Sequence, residues 1–132
     1  MILDTHVWLR YLAGSAISAR ALRRIERARA GEALGIAAVT LWEVALLVHE
    51  RKLRIDGTTA DWLGTALVRS GASIAPLDAA VAQVAARLIG ILRDPADCQI
   101  AGTALHLGVP LATRDARILE RAEKLGLEVV EV

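Results

Sequence analysis

Asp4 closes the apolar run Met1-Ile-Leu, and Asp115 follows a second run, Val109-Pro-Leu-Ala-Thr113. Both acids stand where an open parallel sheet presents the carboxyl ends of its strands. Glu43 has Val39, Thr40, Leu46 and Leu47 three and four residues away, an apolar helix face that turns inward. Asp97 lies in Asp94-Pro95-Ala96-Asp97, where Asp94 serves as N-cap and Pro95 suits the first helical position. It shares a face with Ala101, Ala104 and Gly108, small residues suited to close packing on a sheet. Taken singly, Asp4 and Asp115 are explained better by capping and Glu43 equally well by a side chain that snorkels to water, whereas the small-residue face of Asp97 favours a place at the sheet edge as a site residue. Taken together, carboxylates brought to one edge repel each other strongly unless cations join them. An oxygen-only set suits Mg²⁺ or Mn²⁺. The chemistry such a centre supports is in-line attack on phosphorus by a metal-activated water.

The elements that must position these acids alternate along the chain. Strands are expected at Met1–Leu3, Ala33–Val39, Ser73–Pro76, Val109–Thr113 and Leu127–Val130. Between them, Ser18 caps an amphipathic helix with Ala21, Leu22, Ile25 and Ala28 on one face and Arg20, Arg23, Arg24 and Arg27 on the other. Gly31 ends that helix, and Thr40 is the expected cap of the next, which runs to about Arg51. Further helices are expected from Thr59 to Arg69, from Asp78, from Asp94 to Gly108, and from Asp115 to Lys124 before Gly126. Such alternation predicts one α/β domain over residues 1–132, with a mainly parallel central sheet of four to five short strands flanked by helices. Ligands then bind beyond the carboxyl ends of the strands.

Composition narrows the class. A chain of 132 residues fits one domain, so a single fold carries the whole function. Hydrophobic residues make up 55% and the mean hydropathy is +0.42, more apolar surface than one small core absorbs, so a partner is expected to cover part of it. Charges interrupt every apolar run before the roughly 18 residues of a bilayer helix, and no signal-like leader precedes Asp4, so the cytoplasm is the expected location. Removing the four acids from the 15 acidic residues leaves 11 against 16 basic ones, a basic surface around a concentrated negative point. Arg114 and Arg117 flank Asp115 and are candidates for phosphate contacts, with a solvated role as the alternative. Cys98 stands alone, without a disulfide partner or zinc-spaced companions. His6, His49 and His106 form no evident acid–base pair, and a structural role is expected for each. Trp8, Trp42 and Trp62 are expected in packing, while Trp62, Leu63, Ala66 and Leu67 make an apolar stripe suited to the core or to an interface.

Ile2-Leu-Asp-Thr-His-Val-Trp8, Thr40-Leu-Trp-Glu43, Asp94-Pro-Ala-Asp97 with Ile100-Ala-Gly-Thr-Ala104, and Thr113-Arg-Asp115 together resemble the PIN domain. The resemblance spans nearly the whole chain in motif order and is closest to VapC-type toxins of toxin–antitoxin pairs. It implies an Mg²⁺- or Mn²⁺-dependent endoribonuclease, dimeric, held inactive by a small antitoxin whose tail blocks the acidic groove. RNA as substrate comes from the resemblance alone, because metal-activated water does not distinguish RNA from DNA. By position, Asp4 and Asp97 would be the main metal ligands, Glu43 a ligand or water-orienting base, and Asp115 the outer acid. Thr113 and Thr5 would support the cluster, and Asp94 would be helix cap first and site residue second. One departure is Cys98, where relatives with this motif carry Arg; a second is the short stretch ahead of Asp4. Among other readings, a haloacid-dehalogenase-like phosphatase needs Asp where His6 stands, and a receiver domain needs paired acids and a later Lys. The serious alternative is a PIN-like module without activity that binds RNA or protein.

Overall fold

The computed structural model describes all 132 residues. Five strands, none longer than three residues, form one parallel sheet: β1 Ile2–Leu3, β2 Gly35–Ala37, β3 Ser73–Ala75, β4 Leu111–Thr113 and β5 Val129–Glu131. The helices are α1 Thr5–Leu12, α2 Ala19–Ala30, α3 Ala38–His49, α4 Thr59–Ser70, α5 Ala79–Leu92, α6 Pro95–Leu107 and α7 Ala116–Leu125. The spatial order is β3-β2-β1-β4-β5, with Ile2 beside both Gly35 and Leu111 and Leu3 beside both Ile36 and Ala112. The chain therefore winds outward from β1 through β2 to β3, then returns to β4 on the other side of β1. That reversal opens a crevice beyond the ends of β1 and β4, the place where such sheets bind ligands.

Alternation along two-residue β1 sends Leu3 to one face and Ile2 to the other. Leu3 joins Trp8, Ile25, Leu34, Ile36 and Val44 in one core layer, while Ile2 joins Leu88, Ile100, Leu111 and Ile118 in the second. Trp8 is fully buried and donates its indole N–H to Ser70 Oγ at 3.0 Å; its ring meets Trp62 edge-on at 6.4 Å between centroids. Trp62, Leu63 and Leu67 pack on this layer and Ala66 lies inside it, so the α4 stripe belongs to the core. Trp42, in contrast, is exposed.

The α5–α6 contact places the first turn of α6. Gly102 lies so close to α5 that a Cβ there would stand 2.9 Å from the Ala85 N and Cα atoms. Only glycine allows this approach, and it seats Ile100, Ala101 and Ala104 against the sheet. No helix is long and apolar enough to cross a membrane.

Most expected caps are present: Ser18, Asp78, Asp94 and Asp115 each accept backbone N–H groups at a helix start, and Gly71, Gly108 and Gly126 leave helices in the left-handed conformation. Thr40 is not a cap. Helix α3 begins at Ala38 after Ala37, with no side-chain cap bond, and Thr40 is buried inside it. The strand expected over Ala33–Val39 shortens to Gly35–Ala37 for the same reason, since the chain turns from strand to helix within one apolar run. The last strand lies at Val129–Glu131 because Leu127, though buried, still closes α7 by donating its N–H to Ala122 O at 3.0 Å.

Candidate active site

A cavity of about 410 Å³ opens beyond the ends of β1 and β4 and is lined by Asp4, His6, Arg10, Glu43, Asp94, Asp97, Arg114, Asp115 and Arg117, with no hydrophobic residue among them. The four acids singled out in the sequence reach it from four elements. Asp4 leaves β1 with its backbone N–H on Ala112 O at 3.0 Å, and its side chain caps α1 by accepting the His6 N–H at 3.2 Å. The second carboxylate oxygen accepts the Thr113 hydroxyl at 2.6 Å. Thr113 Oγ1 in turn accepts the Asp115 N–H at 3.0 Å, so one buried hydroxyl fixes Asp4 against the start of α7.

Glu43 enters from the second turn of α3. The Thr5 hydroxyl donates to its Oε2, and Thr5 Oγ1 lies 3.1 Å from Thr40 Oγ1. Burial raises the Glu43 carboxyl above its ordinary range, the Thr5 hydrogen bond opposes this, and the charge of Asp4 adds to the rise. Asp97 sits in the first turn of α6. Burial pushes its carboxyl up to about 7, helped by the charges of Asp94 and Asp115 and opposed by Arg117. Asp94 is cap and cavity wall at once: Oδ1 accepts the N–H groups of Ala96 at 2.9 Å and Asp97 at 3.0 Å.

Asp115 caps α7, accepting the N–H groups of Arg117 at 2.8 Å and Ile118 at 3.1 Å. Burial would raise its carboxyl, but those two N–H groups and the Arg117 guanidinium outweigh it and hold the carboxyl below the usual range. The two flanking arginines differ. Arg117 Nη2 lies 3.3 Å from Asp97 Oδ2 and 3.4 Å from Asp115 Oδ2. Arg114 is exposed on the cavity wall without a carboxylate partner.

Two further residues line the wall: Arg10, which the sequence reading did not single out, and His6, for which it expected a structural role. His6 is 74% exposed at its side chain, with Nδ1 3.9 Å from Asp4 Oδ1, and Arg10 follows one helical turn later on the same face of α1. Their spacing from Asp4 was the available signal.

No three Asp, Glu, His or Cys side chains stand close enough to close on one ion as they lie. The acids thus share a cavity without forming a finished coordination sphere, and the cation in contact with two of them is the Arg117 guanidinium. The donor chemistry nevertheless fits a hard divalent cation: five carboxylates line the cavity, with one imidazole, that of the exposed His6, and no thiolate. Burial is the main cause of the raised Glu43 and Asp97 carboxyls, with the neighbouring acids adding to it, and a divalent cation would favour the ionised form of both.

The profile of the PIN domain matches residues 1–125. The chain belongs to the PIN domain family. This PIN domain shares its fold with VapBC2 from Rickettsia felis, solved with a DNA fragment from its promoter, at 18% identity, 98% coverage of each chain and a TM-score of 0.70. It aligns with FitAcB from Neisseria gonorrhoeae at 22% identity and TM-score 0.65, covering 98% of this chain and 96% of the other. VapBC-5 from Mycobacterium tuberculosis, a toxin–antitoxin system member, aligns at 22% identity and TM-score 0.63 over 99% and 97% of the two chains. No curated protein sequence matches the chain. The α/β fold and the PIN resemblance read from the four motifs are both borne out.

Proposed function

We propose that this PIN domain is the toxin of a toxin–antitoxin pair and cleaves RNA as an Mg²⁺- or Mn²⁺-dependent endoribonuclease. The observation that carries the reading is the convergence of Asp4, Glu43, Asp97 and Asp115 on one wholly polar cavity at the point where the strand order reverses. Membership in the family and the likeness to toxin–antitoxin complexes support it.

In this reading Asp4 and Asp97 are the main metal ligands, with Asp115 as the outer acid. A divalent cation held there supplies Lewis acidity, making water a nucleophile near neutral pH and offsetting charge on phosphate oxygens. Glu43, with its raised carboxyl, is placed to take the proton of the attacking water or to ligate. Thr113 and Thr5 hold Asp4 and Glu43 in orientation, and Asp94 fixes the first turn from which Asp97 projects. Arg114 and Arg10 stand on the cavity wall for backbone phosphates.

The antitoxin is assigned to the groove beside the cavity. Exposed Trp42, Leu77 and Ile89 line an apolar channel that Pro95 connects to the acidic wall at Glu43 and Asp94. A segment with apolar anchors followed by a basic side chain complements both ends. A homodimer completes the assembly, and light scattering of the purified protein reads it directly.

The test is cleavage of labelled single-stranded RNA by wild type and Asp97→Asn. Wild type cuts with Mg²⁺ or Mn²⁺ and stops in EDTA, while the variant is inactive. Equal rates would end the enzymatic reading and leave a binding module.

A further inference from the structure

Arg117 holds a position that the phosphate-contact expectation does not explain. Its guanidinium has two partners, the Asp97 and Asp115 carboxylates, and reaches both with the same nitrogen at 3.3 and 3.4 Å. Tight charge-assisted hydrogen bonds run to about 2.7–2.9 Å, so this contact is loose on both sides. The side chain is 57% exposed, and no third group anchors its head. The backbone is fixed by contrast, since the Arg117 N–H caps onto Asp115 at 2.8 Å. Arg117 is thus a tethered cation with an exposed, loosely held charged end, lying across two carboxylates of the cluster.

We infer that Arg117 is a built-in counter-cation that occupies the Asp97–Asp115 side of the centre and is displaced when a divalent cation binds. The inference rests on the metal-centre reading above. Its physical basis is ion exchange: a single positive charge shared loosely between two carboxylates yields to a compact double charge that both can ligate. Even with Arg10 and Arg114 also on the wall, three guanidinium groups face five carboxylates, so the cluster remains short of positive charge. Once displaced, the guanidinium swings free at the rim, where it can meet a phosphate of the bound strand. Arg117 therefore guards the metal-free protein against its own charge and sets how much free cation is needed to load the centre.

Arg114 supplies the control, because it carries the same charge on the same cavity wall without touching the carboxylates. Binding of Mn²⁺ is titrated by the electron paramagnetic resonance of the free ion for wild type, Arg117→Gln and Arg114→Gln, at a pH where Asp97 is ionised. Arg117→Gln should bind Mn²⁺ at least about threefold more tightly than wild type, the scale of an exposed pair that no longer competes, with Arg114→Gln unchanged. An equal gain in both variants would make the effect one of net charge and overturn the inference, as would unchanged or weakened binding in Arg117→Gln. Wild type that binds no Mn²⁺ at all would remove the metal centre and this inference together, whereas equal binding by wild type and Arg117→Gln removes only the inference.

Discussion

Thr113 joins two of the acids through one oxygen: its hydroxyl donates to Asp4 Oδ2 at 2.6 Å while accepting the Asp115 N–H at 3.0 Å. Both bonds are shielded, since Thr113 is fully buried and Asp4 nearly so. Thr113→Val keeps the shape and removes both bonds, leaving a buried carboxylate oxygen and a helix-start N–H short of a partner. The expected loss is about 1–3 kcal/mol of stability, measured by urea unfolding in EDTA, with weaker Mn²⁺ binding. Thr113→Ser should restore most of both. Wild-type stability in the Val variant would show that Thr113 orients nothing.

Asp97 makes stability depend on pH in a defined direction. Its carboxyl is raised in the folded protein to about 7 from 3.8, so between these values the folded state holds a proton that the unfolded chain has released. Unfolding free energy therefore falls as pH rises from about 4 to 7. Glu43, also raised, contributes in the same sense. Asp115 is lowered, so its contribution is present above the unfolded value and is lost only as pH falls through its folded value, below this window. Asp97→Asn should flatten the slope and make the metal-free protein more stable at neutral pH, by less than the full shift implies, because the carboxyl is partly exposed and gives up its Arg117 contact. Saturating Mg²⁺ should flatten it in wild type. Urea midpoints measured across the range decide the matter, and a slope unchanged by the substitution would refute the assignment.

Gly102 and Gly90 provide a paired test of how α6 is seated. At Gly102 a Cβ would meet the Ala85 backbone at 2.9 Å, whereas at Gly90 it would meet nothing within 4 Å. Gly102→Ala should cost about 1–3 kcal/mol by forcing α5 and α6 apart, and should weaken metal binding through Asp97 on the first turn. Gly90→Ala, in an exposed stretch of α5, should gain up to about 1 kcal/mol from helix propensity. Thermal unfolding of both proteins reads the contrast, and equal effects would mean that the close approach carries no strain.

Local chemistry made much of this legible in the sequence. Ser18, Asp78, Asp94 and Asp115 announce helix starts because a short polar side chain ahead of a periodic segment has few other uses, and the structure places all four as caps. The α3 start was not legible, because residues 33–39 are apolar on both sides of the strand–helix junction and Ala37 offers no side-chain signal. Thr40 resembled a cap, yet its burial beside Thr5 serves the orientation of Glu43. Four acids on one sheet edge followed from topology. That Arg117 touches two of them while Arg114 touches none depends on helical phase after Asp115, which sequence adjacency hides. His6 and Arg10 are one helical turn apart on α1 and so share the face that opens beside Asp4, a spacing signal that the expectation of a structural His6 passed over.

Thr5 limits the rise in proton affinity that burial gives Glu43, and this gives a prediction on rate rather than stability. Its hydroxyl donates to Glu43 Oε2 and opposes the rise that burial imposes on that carboxyl. Thr5→Val removes the donor without changing shape, so the Glu43 carboxyl rises further. If Glu43 must be ionised to take a proton from the attacking water, the acid limb of the pH–rate profile moves to higher pH. The rate at a pH well above that limb should change less than the rate on it, because the carboxylate is then fully ionised in both proteins. Thr5→Ser keeps the donor and should leave the limb in place. RNA cleavage with saturating Mg²⁺, followed across pH for the three proteins, distinguishes this from plain loss of packing, which would lower the rate equally at every pH.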